Sequence, residues 1–278
     1  DDILTSAFPS KLDKLNARPH PESPIIFSSA SNSYSCLRSI AMAVPDTFLA
    51  KTIDFNGTQY ERLEPITDFR RDPCEARILY TCRMISPQNA EELILKVKVQ
   101  VPPRPASDDP SEPLPGPSET TSAELKALKT FREKNTEGVP HLIAHKCELQ
   151  GPQGPFPDGY VSYSIMTKMS GQDLMALKFW SLEDEEREER RRAFLQVLKK
   201  VWAQGMRPYD CALRNILWDT PTKRCAIVDF EHYDAAPDPI NMNETQELQR
   251  WGLVHRPPPS HWAVEWGLTR DYNARQQW

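Results

Sequence analysis

Asp210, Asn215 and Asp229 are the residues of this chain best suited to chemistry. Asp210-Cys-Ala-Leu-Arg-Asn215 sets an acid and an amide five residues apart, and the apolar run Cys225-Ala-Ile-Val228 leads directly into Asp229-Phe-Glu231. Between them, Asn215 to Trp218 reads as a short strand, Asp219-Thr-Pro-Thr-Lys223 as a turn and Cys225 to Val228 as a second strand. A hairpin of this kind brings the two acids and the amide together. The set suits phosphoryl transfer, because a triphosphate and its transition state carry several negative charges that Mg²⁺ on hard oxygen ligands offsets. Asp229 and Asn215 supply such oxygens. Asp210 is a carboxylate able to accept or orient the proton of an incoming hydroxyl. Asp and Asn are also ordinary turn formers; the combination, not any one residue, carries the reading.

These motifs resemble the catalytic core of the protein-kinase-like superfamily, which includes eukaryotic kinases and aminoglycoside-type phosphotransferases; short fungal kinase-like proteins are nearest in character. The resemblance implies an α+β, two-lobed fold, with a small antiparallel-sheet lobe and a truncated, mainly helical lobe. It also implies ATP and Mg²⁺ between the lobes. Asp210 matches the family's catalytic aspartate, Arg214 the arginine of its Asp-Leu-Ala-Ala-Arg-Asn form, and Asn215 and Asp229 its metal ligands. In Leu93-Ile-Leu-Lys-Val-Lys-Val99, Lys96 resembles the strand lysine that contacts phosphates. Lys98 competes with it, since alternate residues of a strand share a face. Lys96 is preferred because it directs Ile94 toward the adenine. Ser122 to Phe131 has helical spacing of Ala123, Leu125, Leu128 and Phe131, and Glu124 is the glutamate the resemblance pairs with Lys96. Glu124 also suits an exposed acid near a helix start. Tyr160 to Gly171 reads as a strand entering the linker that holds the base, with Thr167 and Met169 supplying main-chain contacts and Met166 guarding the back of the pocket.

The departures bear on function equally. Where a glycine-rich loop should cover the phosphates, the chain reads Ile66-Thr-Asp-Phe-Arg-Arg-Asp-Pro-Cys-Glu75, so Arg70 or Arg71 would have to substitute by charge for close N–H approach. Pro208 and Tyr209 stand where the family has histidine and arginine, and Glu231 replaces the glycine of its metal motif, adding a carboxylate able to hold a cation or repel phosphate. About fifty residues follow Asp229 and no Ala-Pro-Glu motif is among them. A peptide substrate is therefore disfavoured and a small-molecule hydroxyl preferred, with Trp251, Trp262, Trp266 and Trp278 offering flat apolar surface for a pocket or, more commonly, a core. Three functions stay open on the sequence: an ATP-dependent small-molecule phosphotransferase; a kinase-fold enzyme of secondary metabolism that catalyses cyclisation, rearrangement or elimination without ATP; and a binding pseudokinase.

The elements that position these residues occupy 278 residues, 39% hydrophobic and 26% charged, enough for one core arranged as two lobes. A net charge of −5 and the lack of a basic stripe argue against nucleic acid. The six cysteines have neither zinc-site nor disulfide-framework spacing, no apolar run approaches a membrane span, and no signal peptide opens the sequence. A cytoplasmic protein with reduced thiols is expected. The division expected is an N-terminal extension over 1–55, a small lobe over 56–166 with a mobile Pro-rich insert at 101–118, and a truncated helical lobe over 167–278. Within the extension, Ser10 to Leu15 and Cys36 to Ala43 suit short helices. Ser181 to Trp202 is the clearest helix. Ser181 is its expected cap, Glu183/Arg187, Glu186/Arg190 and Glu188/Arg192 its solvated ion pairs, and Phe194 to Trp202 its apolar half beneath the catalytic loop. His141 and His145 read as packing and surface residues, since Pro140 spoils a helical face.

Overall fold

The computed structural model describes residues 48–71, 75–86, 88–103 and 112–254. Strands β1 (Thr52–Phe55) and β2 (Thr58–Pro65) form a hairpin across Asn56-Gly57, both at positive φ, the sequence that a two-residue turn favours. A short β3 (Arg70–Arg71) follows, then the long β4 (Glu75–Ser86) and β5 (Gln88–Gln100), and later β6 (Leu142–Leu149) and β7 (Tyr160–Thr167). They make one antiparallel sheet in the order β1-β2-β4-β5-β7-β6, with β3 beside β4. The sheet thus includes Thr52–Phe55, from the span expected to be an extension.

β5 shows why the site lies where it does. Leu93, Leu95, Val97 and Val99 enter one core with Ile53, Tyr60, Tyr80 and Ile165. The alternate residues Ile94, Lys96, Lys98 and Gln100 therefore occupy the opposite face, which helix α1 (Glu119–Glu133) covers. Ser118 caps α1 by accepting from the Thr121 N–H at 3.3 Å, so the helix begins ahead of Ser122. Its buried residues are Thr121, Glu124, Ala127, Leu128 and Phe131, whereas Ala123 and Leu125 are half-buried. The expected apolar stripe is rotated because Glu124 and Thr121 turn inward to polar partners on the sheet. In the insert, Gln100 donates to the Glu112 carbonyl at 3.0 Å and accepts from the Leu114 N–H at 2.8 Å; the stretch entering α1 is tied to β5 rather than a free loop.

A second core gathers around α2 (Asp184–Trp202), where Phe194, Leu198, Val201 and Trp202 meet Phe131 of α1 and Phe230. Over it lie β8 (Gln172–Asp173), the hairpin β10 (Ile216–Asp219) and β11 (Arg224–Ile227), and α3 (Glu244–Arg250). β9 (Met206–Pro208) pairs with β12 (Tyr233–Ala235). Glu183, not Ser181, caps α2, through a capping box with Glu186. The charge run of α2 is only partly solvated. Arg187 pairs with Asp184 instead of Glu183, and Arg190, 5% exposed, lies 4.9 Å above the Trp218 ring. Trp251 is a core residue packed edge-on against Phe194 at 5.1 Å. Trp262, Trp266, Trp278, Cys36, Cys74 and the helices expected in the first 43 residues lie outside the described residues. Cys82, Cys147, Cys211 and Cys225 are free thiols, and no helix among the described residues is long and apolar enough to cross a membrane.

Candidate active site

The pleat of β5 sends Lys96 and Lys98 to the same side, and long-range partners distinguish them. Lys96 Nζ lies 2.7 Å from Glu124 of α1, 2.5 Å from Glu231 and 3.7 Å from Asp229. Lys98 Nζ lies 3.1 Å from Glu75 and 3.2 Å from Glu231, while Glu75 also accepts from Tyr160 Oη at 2.6 Å and from Thr121 Oγ1 at 3.2 Å. Arg77 of β4 completes the cluster, donating to Glu231 Oε2 at 2.5 Å. Burial alone would lower the Lys96 value, but Glu124, Glu231 and Asp229 together raise it above that of an ordinary lysine. Glu124 is raised, by burial first and by the neighbouring Glu231 and Asp229, against the pull of Lys96. Glu231 goes the other way: burial opposes its charge, and Lys96, Lys98 and Arg77 hold it well below the usual carboxylate range.

Across from this cluster, a single 3₁₀ turn (Leu213–Asn215) shapes the loop before β10. Asn215 Nδ2 donates to the Asp210 carbonyl at 3.0 Å and to Asp210 Oδ2 at 3.2 Å, and Arg214 binds Asp210 Oδ2 at 2.6 Å. The Val228 N–H donates to the Asn215 carbonyl at 2.9 Å, which ties this loop to the end of β11. Asp229 follows at φ +69°, a left-handed conformation that Asp tolerates better than most residues. Its Oδ1 is buried without a hydrogen-bond partner among the described residues. From below, Glu247 of α3, 1% exposed, binds Arg207 at 2.6 Å and Arg250 at 2.7 Å, and Arg250 donates to the Pro208 carbonyl at 3.0 Å. This triad, with its carboxylate buried and its two arginines partly exposed, braces the strand that leads to Asp210.

A cavity of 660 Å³ is lined by Arg77, Lys96 and Glu124 of the first group and by Arg214, Asn215 and Asp229 of the second, whereas Asp210 lies outside its wall. Its wall includes the apolar Leu79, Ile94, Met166, Leu217 and Val228 and the polar Lys96, Glu124, Asn215 and Asp229. Thr167 and Met169 line it where β7 leaves the sheet, but the Thr167 N–H already donates to the His141 carbonyl at 3.1 Å and is not open to a ligand. Gly171 is needed just beyond: its φ is +104°, and a Cβ there would sit 2.4 Å from the Trp218 carbonyl. Lys98 and Glu231 lie outside the cavity wall, beneath it. Lys98, expected as a nucleotide contact, is 2% exposed and committed to carboxylates. Glu231, expected as a metal ligand, has its carboxylate spent on three cations. Glu124, Asp229 and Glu231 do bring oxygens within 4.8 Å of one another, yet the Lys96 ammonium already stands among them.

No family model matches the chain, and no curated protein matches it. Solved structures to which the chain is similar include the kinase PK-1 of the Cydia pomonella granulovirus, at 17% identity and a TM-score of 0.41, over 63% of this chain and 52% of that one. Another is Rad53 in complex with AMP-PNP, at 16% identity and a TM-score of 0.42, over 62% of this chain and 39% of that one. The chain thus spans about half or less of the length of these two neighbours. Neither likeness bears on what this chain binds.

The donor set fits a divalent cation at Asp229 and Asn215, since Asp229 Oδ1 accepts no hydrogen bond among the described residues, with the Lys96 ammonium 3.7 Å away, and Asn215 spends its Nδ2 on Asp210, leaving its amide oxygen as an acceptor. The apolar residues of the wall suit a flat heterocycle. The main contributors that sequence reasoning missed are Arg77, Glu75 and the Arg207–Glu247–Arg250 triad. Alternation along β4 places Glu75, Arg77 and Leu79 on one face and would have drawn attention to the first two, whereas nothing local marks Glu247. His141 and His145 are engaged separately, His141 Nε2 at 2.8 Å from the Thr136 carbonyl and His145 Nε2 at 3.1 Å from the Ser162 hydroxyl; burial lowers the His145 value.

Proposed function

We propose that this is a two-lobed, kinase-like phosphotransferase that holds ATP and Mg²⁺ in the cavity and transfers the terminal phosphoryl group to the hydroxyl of a small molecule. The observation that carries the reading is Lys96, buried in the cavity wall between Glu124 and Asp229 at 2.7 and 3.7 Å, with Asn215 in the same wall. Phosphoryl transfer needs fixed cationic charge beside hard oxygen ligands, held so that little reorganisation accompanies reaction. Mg²⁺ on Asp229 and Asn215 would offset phosphate charge there. Glu124 fixes the Lys96 ammonium, and α1 fixes Glu124. Asp210 is half-exposed at 37% of its side chain and oriented by Arg214 and Asn215, a placement suited to accepting a hydroxyl proton from an acceptor arriving from solvent. A small acceptor is favoured because the segment after Glu231 folds straight back as β12 onto β9, pairing Tyr233 with Pro208, instead of extending as a platform for a peptide.

The test is a transfer screen followed by ³¹P NMR, with Mg-ATP and a panel of hydroxylated metabolites. Asp210→Asn should keep nucleotide binding and lose turnover by about 10²–10⁴-fold. Turnover at the wild-type rate in that variant would remove Asp210 from the mechanism.

A further inference from the structure

The sequence between β2 and β4 has no glycine to let main-chain N–H groups approach phosphate closely, yet it places Arg70 in the cavity wall. β3 pairs Arg70 directly opposite Arg77, and Arg77 in turn lies opposite Lys98, so three cations form a row across three strands on the face turned to the site. Like charges opposite one another in a ladder are unfavourable unless each is compensated. The cationic side chains of the cavity wall are Arg70, Arg77, Lys96, Lys168 and Arg214. Four have carboxylates: Arg77 with Glu231, Lys96 with Glu124, Lys168 with Glu92 and Arg214 with Asp210. Arg70 is exposed at the rim beside Ile66 and Thr67 and has no ion-pair partner among the described residues. Among the described residues it is the cavity-wall cation that no carboxylate pairs.

Resting on the reading of the cavity as a nucleotide site, we infer that Arg70 binds the polyphosphate tail, its guanidinium taking the place of the backbone N–H groups that a glycine turn would offer. Glu231 explains why a second cation is required. Its carboxylate faces Arg77, Lys96 and Lys98, and Glu124 and Glu75 add one negative charge each on the two lysines, so those three cations are largely neutralised before any ligand enters. A guanidinium can grip phosphate oxygens through two parallel N–H donors, which an ammonium at the same place cannot.

Calorimetric titrations of Mg-ATP and of adenosine into the wild type, Arg70→Ala and Arg70→Lys test this. Arg70→Ala should weaken Mg-ATP about tenfold and leave adenosine unchanged, with Arg70→Lys between. The side chain is exposed, and an unchanged melting temperature verifies that both variants fold. Wild-type affinity for Mg-ATP in Arg70→Ala, or an equal loss for adenosine, would overturn the role of Arg70 while leaving the nucleotide site standing. Failure of the wild type to bind either compound would overturn both.

Discussion

Replacing Glu231 by Gln removes one charge and almost no volume, which isolates the electrostatics of the cluster beneath the cavity. Glu231 is 6% exposed and lies 2.5 Å from Arg77, 2.5 Å from Lys96 and 3.2 Å from Lys98. Removing one member of a buried charge set costs about 3–5 kcal/mol, because its partners stay charged and desolvated. Here Lys96 retains Glu124 and Lys98 retains Glu75, so a loss near the lower bound, about 3 kcal/mol, is expected. Urea unfolding at neutral pH, followed by the fluorescence of buried Trp202 and Trp251, should show a lower midpoint with an unchanged slope. Adding Lys98→Met should restore part of the loss, since the double variant buries one cation fewer beside the uncharged glutamine at position 231 while Glu75 keeps Tyr160 and Thr121 as donors. The pH dependence gives a second signature. A carboxyl with a depressed folded value contributes stability that is complete above its ordinary value, 4.5, and is lost as pH falls through the folded value. The gap between wild type and Glu231→Gln should therefore stay constant from neutrality down to about pH 5 and close only in stronger acid. A loss below about 1 kcal/mol, or strict additivity with Lys98→Met, would refute the reasoning.

The close approach at Gly171 and the open turn at Gly57 provide a matched pair. Both have positive φ, but a Cβ at Gly57 meets nothing within 4 Å, whereas one at Gly171 lies 2.4 Å from Trp218 backbone. Gly57→Ala should cost about 1–2 kcal/mol and Gly171→Ala roughly 2 kcal/mol more, read by chemical denaturation. On α2, Arg190→Met should cost about 1–2 kcal/mol through its lost stacking on Trp218 and its lost 2.8 Å bond to the Glu186 carbonyl, while Arg192→Met, 70% exposed, should change stability by less than about 0.5 kcal/mol. Equal effects at either pair would show that the contacts named do not set the cost.

Much of the framework was legible because it rests on local periodicity. The alternation of β5 put Lys96 and Lys98 on one face, the turn residues marked the β10–β11 hairpin, and the apolar half of α2 from Phe194 to Trp202 is buried as its spacing requires. What was not legible depends on partners far away in the chain. Glu231 meets Arg77 across 154 positions, and only that contact turns an expected metal ligand into the counter-charge of three cations. In α1 hydropathy found Leu128 and Phe131, but Thr121 is buried by its bond to the distant Glu75 while Ala123 and Leu125 are only half-buried; Glu124 meets Lys96 as the resemblance, not the spacing, implied. Arg190 is buried because an aromatic ring lies beneath it, which a run of alternating charges does not disclose.

Calorimetric titration of ATP with and without Mg²⁺ tests most directly whether Lys96, Asn215 and Asp229 form a nucleotide site. Binding that requires Mg²⁺ in the wild type and is lost in Asp229→Asn is the predicted result. Heat of binding absent at millimolar ATP, or binding indifferent to both Mg²⁺ and Asp229, would contradict it.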